Sequence, residues 1–148
     1  APPEADAAES GSAGPMEIPP SENLVEPGDN LWLLSGRFYE TGYLWPYIYR
    51  ANRSDIPNPD QLSSGNMLEV PGLQEPAGSL TEQDRESIAA GYMHAYLAYK
   101  EENNSRARFY LWVAYKLASD DLLTEYEERI DPADRERIKT ISGEPAVR

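Results

Sequence analysis

Histidine occurs once in the 148 residues, at His94, and cysteine does not occur at all. Nucleophile–base chemistry needs a thiol or hydroxyl beside an imidazole, with a third group to orient the ring. His94 falls mid-helix beside an aromatic stripe and reads as a surface or boundary residue, not as a general base. The lack of cysteine removes thiol nucleophiles, disulfides and Cys-ligated zinc, and one histidine leaves no multi-His metal site. Two adjacent acidic pairs, Glu101-Glu102 and Asp120-Asp121, invite comparison with the acid/base pair of a glycosidase. Both lie at expected helix ends, where they read as solvated termini. In the loops, Asp29 reads as a helix cap first and a ligand contact second, and Asp60 as a residue that organises its own turn through an Asx bond. No catalytic residue, metal site or cofactor is therefore expected. The chain should bind, not catalyse.

The charge balance narrows what it can bind. Asp and Glu number 26 against 13 Lys and Arg, a net charge of -13. A polyanion of this kind is unsuited to nucleic acid or to an anionic membrane surface. No apolar run approaches the roughly 20 residues that span a bilayer, so direct membrane insertion is not expected, and the first residues lack a signal-peptide pattern. Residues 1–20 consist of Ala, Pro, Glu, Gly and Ser with Met16 and Ile18 as the larger apolar residues. Such a segment cannot offset its ordering entropy, so residues 1–22 are expected to be a disordered linker. It has the character of a tether left after a signal peptide or a lipidated cysteine is removed.

Residues 23–73 carry the organised pattern. Asn23-Leu24-Val25-Glu26 reads as a strand ended by Pro27-Gly28, and Asp29 or Asn30 can cap a helix beginning at Leu31. Leu31, Leu34, Ser35 and Phe38 share one face of it. Thr41-Gly42 breaks that helix, and a second runs from Tyr43 to Asn52 with Leu44, Ile48 and Ala51 inward and Trp45 and Tyr49 beside them. Pro46 is tolerated in its first turn. The prolines of Ile56-Pro57-Asn58-Pro59-Asp60 exclude a helix there. Met67-Leu68-Glu69-Val70 alternates as a second strand. The order strand–helix–helix–strand predicts an antiparallel pair with both helices on one face. Trp32, Phe38, Trp45 and Tyr49, at packing spacing, are expected in the core and not as sugar platforms.

Residues 79–142 read as helical. Ser79-Leu80-Thr81-Glu82 has the capping-box form, with Thr81 and Asp84 as a competing start. Ile88, Tyr92, Ala95, Tyr96 and Tyr99 form one stripe, and Phe109, Trp112, Val113, Lys116 and Leu117 form the next. Leu122, Leu123, Tyr126 and Ile130 suggest a short third helix, and Asp131-Pro132 opens a last one through Ile141. Residues 143–148 read as a tail. The class is α+β: a βααβ module followed by a helical hairpin or small helical extension.

The module resembles a LysM domain. The matching residues are Val25, Pro27-Gly28-Asp29-Asn30-Leu31-Trp32, Gly36-Arg37-Phe38-Tyr39, Leu44-Trp45-Pro46, Ile48-Tyr49, Ala51-Asn52, Ile56, Asn58-Pro59-Asp60, Leu62, Gly65 and Leu68-Glu69-Val70-Pro71, over about a third of the chain. The family binds glycans containing N-acetylglucosamine, such as peptidoglycan, in a shallow groove between two loops. The resemblance places that groove at Gly28, Asp29, Asn30 and Leu31 on one side and at Ile56, Asn58, Pro59, Asp60 and Leu62 on the other. Loop backbone would pair with the acetamido group, and Leu31, Ile56 and Leu62 would meet its methyl and the apolar sugar faces. At about 0.5–1.5 kcal/mol per net hydrogen bond, a single module binds weakly, in the micromolar to millimolar range. Asn30 stands where the family often has Thr, and Ser64-Gly65-Asn66 where it often has Pro-Gly-Gln, so glycan preference is open at Asn30.

The resemblance implies a non-catalytic protein of the cell envelope, periplasmic or extracellular, lipid-anchored in its precursor if the tether reading holds. The alternative is a scaffold whose LysM fold no longer binds glycan. The Tyr- and Trp-rich helices either cover their own core and the module or expose a face for a protein partner.

Overall fold

The computed structural model describes residues 17–141. It is a mixed α+β fold, with a two-stranded antiparallel sheet of β1 (Ser21–Leu24) and β2 (Met67–Val70). Between them lie α1 (Leu31–Tyr39), a 3-10 turn (Gly42–Leu44) and α2 (Trp45–Ala51). After a second 3-10 turn (Ala77–Ser79) come α3 (Glu82–Glu101), α4 (Ala107–Leu117), α5 (Asp120–Tyr126) and α6 (Pro132–Ile141). The linker expected over residues 1–22 lies outside the described residues as far as 16, but its end is structured. Ile18 and Leu73 exchange both backbone hydrogen bonds at 2.8 Å, and β1 begins at Ser21. The strand expected at 23–26 is thus two residues early. Val25 follows it as a buried residue still bonded to Gly65 and Asn66, because a turn, not a ladder, closes the sheet there. The tail at 143–148 lies outside the described residues.

Helix α2 is buried almost all round. Trp45, Pro46, Tyr47, Ile48 and Tyr49 are buried while Ala51 is exposed, which corrects the expected inward face. The cause is its position between the sheet and α1 on one side and α3 on the other. Phe38 is only half-buried, and Tyr39 takes the inward place instead, its hydroxyl donating to the Pro71 carbonyl at 2.5 Å. Asn52 closes α2: Nδ2 donates to the Ile48 and Glu69 carbonyls, both at 2.8 Å, and Oδ1 accepts from the Glu69 N–H at 2.9 Å. It pairs with the outer edge of β2 at Glu69 as a third strand would, satisfying both backbone groups of that residue.

Helix α3 is the central strut. Thr81 is its N-cap, accepting from the Asp84 N–H at 3.0 Å, so the box proposed at Ser79 gives way to the start at Thr81. From Ile88 to Tyr96 every residue is buried, because α2, α4 and α5 all pack on it. Gly91 lets it approach: a Cβ there would stand 2.5 Å from the Pro46 carbonyl oxygen. The expected stripe of α4 is corrected. Ala107, Tyr110, Leu111 and Ala114 face inward, whereas Phe109 is exposed and Trp112, Val113 and Leu117 are half-buried. Small alanines and one tyrosine fit the α3 contact more closely than the bulkier face would.

Aromatic rings join the module to the helices. Trp45 meets Tyr99 and Tyr110 edge-on at 6.2 and 5.3 Å between ring centres, and Tyr92 lies 5.8 Å from Tyr110. Each such pair adds about 0.5–1.5 kcal/mol beyond its area. Helix α6 is fixed through Asp134, whose carboxylate accepts from Tyr96 (2.8 Å), Lys100 (3.0 Å) and Arg108 (3.3 Å). Burial pushes the Asp134 pKa upward, but these three partners together hold it below the usual carboxylate value.

Candidate functional site

The first candidate loop is a tight turn capped onto α1. Gly28 sits at φ 90°, a conformation that costs other residues strain. The Asp29 N–H donates to the Glu26 carbonyl at 3.0 Å, and its carboxylate accepts from the Glu26 N–H at 2.9 Å. Asp29 therefore closes the turn and is not the helix cap. That role belongs to Asn30, whose Oδ1 accepts from the Leu33 N–H at 2.8 Å. Leu31 is buried at 2% exposure and cannot meet a sugar face without rearrangement.

The second loop begins where Ile56, also buried at 2%, donates its N–H to the Asn52 carbonyl at 3.0 Å. The Asx bond expected from Asp60 is made instead by Asn58, whose Oδ1 accepts from the Asp60 N–H at 2.9 Å. Pro59 is buried beneath the turn and Leu62 is half-buried. The Asp60 carboxylate points to the helices: Oδ1 accepts from the Tyr99 hydroxyl at 2.6 Å and Oδ2 from the Arg106 guanidinium at 2.7 Å. Burial, then the Asp60 bond, push the Tyr99 hydroxyl pKa well up, so it remains a donor. Tyr99 is itself held by Trp45 and Tyr110, with the Arg106 guanidinium 5.0 Å from its ring centre.

Of the predicted residues, Leu31 and Ile56 belong to one apolar core, while Asn58 and Asp60 share a turn. Among the described residues no hydrogen bond or ion pair joins residues 28–31 to residues 56–62. Tyr99 and Arg106 were missed. They stand 39 and 46 residues from Asp60, and nothing local marks either as its partner.

His94 is buried, contrary to expectation, with Nε2 2.8 Å from the Tyr126 hydroxyl in a hydrogen bond. Burial first, then Arg53, Arg50 and Arg129, lowers its pKa to about 4. Trp32, expected in the core, is 47% exposed and meets the exposed Tyr43 edge-on at 4.8 Å. Of the helical aromatics, Tyr92, Tyr96, Tyr99 and Tyr110 are buried. Phe109 is exposed, and Trp112 and Tyr115 are half-buried. A cleft of about 620 Å³ lies between Ile18, Tyr39, Thr41 and Ala77, away from both candidate loops. Among the described residues no group of three or more His, Asp or Glu is placed to hold a metal ion. Among them, too, no helix is long and apolar enough to cross a membrane. No known family model matches this sequence, and neither a curated protein nor a solved structure shows significant similarity to it.

Proposed function

We propose that this protein is a non-catalytic binder of glycans containing N-acetylglucosamine, peptidoglycan foremost, that works in the cell envelope through a LysM-type module. One observation carries the reading. The β–α–α–β order with antiparallel strands puts Pro27-Gly28-Asp29-Asn30-Leu31-Trp32 at the head of α1 and the Asn58-Pro59-Asp60 turn between α2 and β2. The Pro27–Asn30 turn and the Asn58–Asp60 turn lie outside the regular elements, where backbone can meet an acetamido group. Leu31 and Ile56 support the loops from beneath, so sugar contact falls to the turn backbone and to Gly28, Asn58 and Leu62. Titration with N-acetylglucosamine oligomers, followed on backbone amides, tests it: shifts should cluster in the two loops.

A second reading, a scaffold that binds protein, is favoured by one feature. Trp32, Leu33 and Tyr43 are all about half exposed or more at the α1 end, and Trp32 and Tyr43 touch. A complex lost on Trp32→Ala, with no glycan response in the loops, would decide for it.

A further inference from the structure

Asp60 lies in the middle of the second candidate loop, yet both of its carboxylate oxygens are taken by the helical unit. Tyr99 is 1% exposed and cannot follow the loop outward, since Trp45 and Tyr110 pack on its ring. Arg106 heads α4 and is held by its own neighbours. Its N–H donates to Asn104 Oδ1 at 2.9 Å, and its guanidinium lies over Tyr99. The Tyr99 half of the anchor is therefore fixed in the core, and the Arg106 half, with its side chain 55% exposed, adds a surface ion pair. On the loop side, Asp60 is one residue from the buried Pro59, and the Asp60 and Gln61 N–H groups are both bonded to Asn58. A charge-assisted bond at 2.7 Å and a hydroxyl bond at 2.6 Å thus tie the second of the two candidate turns to the helices.

We propose that α3 and α4 set the shape of the Asn58–Leu62 turn by holding Asp60, which acts as a positioning residue and not as a sugar contact. The inference rests on the glycan-binding reading. It gives the helical unit a task in recognition: the turn is pre-organised, so less ordering cost falls on a weak ligand.

The test uses the full chain with Tyr99→Phe combined with Arg106→Ala, alongside Arg106→Lys and Asp60→Asn. Amide exchange at Asp60 and Gln61 is measured without sugar, and the Kd for an N-acetylglucosamine oligomer with it. In the double variant, which loses both bonds to Asp60, exchange should rise and Kd should weaken, each roughly tenfold, with the Tyr99 bond carrying most of the effect because the Arg106 pair is exposed. Arg106→Lys should recover part of both effects, and Asp60→Asn should weaken binding no more than the double variant. Unchanged exchange in the folded double variant overturns the inference whatever the sugar does. Faster exchange with an unchanged Kd also overturns it, as does binding lost in Asp60→Asn but kept in the double variant. Silence of the wild-type loops toward sugar is a separate failure, which refutes the glycan reading and the inference with it.

Discussion

Acid should destabilise this fold well before its carboxylates titrate, and the single histidine is the reason. The unfolded imidazole ionises near 6.5, whereas burial first and Arg53, Arg50 and Arg129 next hold His94 near 4 in the fold. A depressed histidine pKa means that the fold favours the neutral ring, so between these values the unfolded chain binds more protons. The contribution of the neutral ring is complete above about pH 6.5 and is lost as pH falls toward about 4. Integrated over that window, the shift is worth about 3 kcal/mol, with a limiting slope of about 1.4 kcal/mol per pH unit. Against a typical net stability of about 5–15 kcal/mol, such a loss is readily measured. Asp131 and Asp134 have lowered pKa values, Asp131 through its Lys100 bond and Asp134 through partners that outweigh burial. Their contributions are lost below the usual carboxylate range, in a separate and more acidic window. Urea unfolding of the wild type and of His94→Gln from pH 7 to 4.5 separates the two. The wild type should lose stability progressively, and the variant should show a nearly flat profile. Since there is one imidazole, its ring protons give an unambiguous NMR titration. An imidazole that titrates near 6.5, or a variant that keeps the wild-type slope, would refute the reasoning.

Four further outcomes follow from the packing. Asn52→Ala removes three hydrogen bonds and strips the Glu69 N–H and carbonyl of their partner, so it should cost about 3 kcal/mol in urea unfolding with an unchanged m value. Gly91→Ala drives a methyl into Pro46 backbone and should cost about 1–3 kcal/mol. Gly42→Ala meets the exposed Trp32 ring first, which can swing away, so it should cost less than about 1 kcal/mol and shift Trp emission to the red. Asn30→Ala removes the α1 cap and should lower stability by about 1 kcal/mol in thermal unfolding, whereas Asn30→Thr keeps a side-chain oxygen and should cost less.

What was legible in the sequence follows from how one-sided each element is. Helix α1 lies against the core on one face, so its start at Leu31 and its inward Leu31, Leu34 and Ser35 could be read from spacing and from the capping side chain. Helix α2 and the middle of α3 are enclosed, and a helix buried all round has no periodicity to read. That is why Ala51 was placed inward and His94 outward. Helix α4 failed for another reason. Bulk is a poor sign of burial there, because a close helix crossing selects Ala107 and Ala114 and turns Phe109 to solvent. In the candidate site the turn chemistry was visible as Pro, Gly, Asn and Asp. Which of two neighbouring polar residues makes the bond was not: Asn30 caps where either Asp29 or Asn30 could, and Asn58 makes the Asx bond expected of Asp60. The Tyr99–Asp60–Arg106 junction depends on how α3 and α4 dock on α2, and no local pattern encodes that.

We propose that the loops at residues 28–31 and 56–62 recognise N-acetylglucosamine. Backbone-amide NMR of the whole chain, titrated with N-acetylglucosamine oligomers and soluble peptidoglycan fragments, measures it most directly. Glycan binding there gives saturable shifts clustered at Asp29–Leu31 and Asn58–Leu62, with micromolar to millimolar Kd. Silence of both loops at millimolar sugar, in a folded protein, would contradict it.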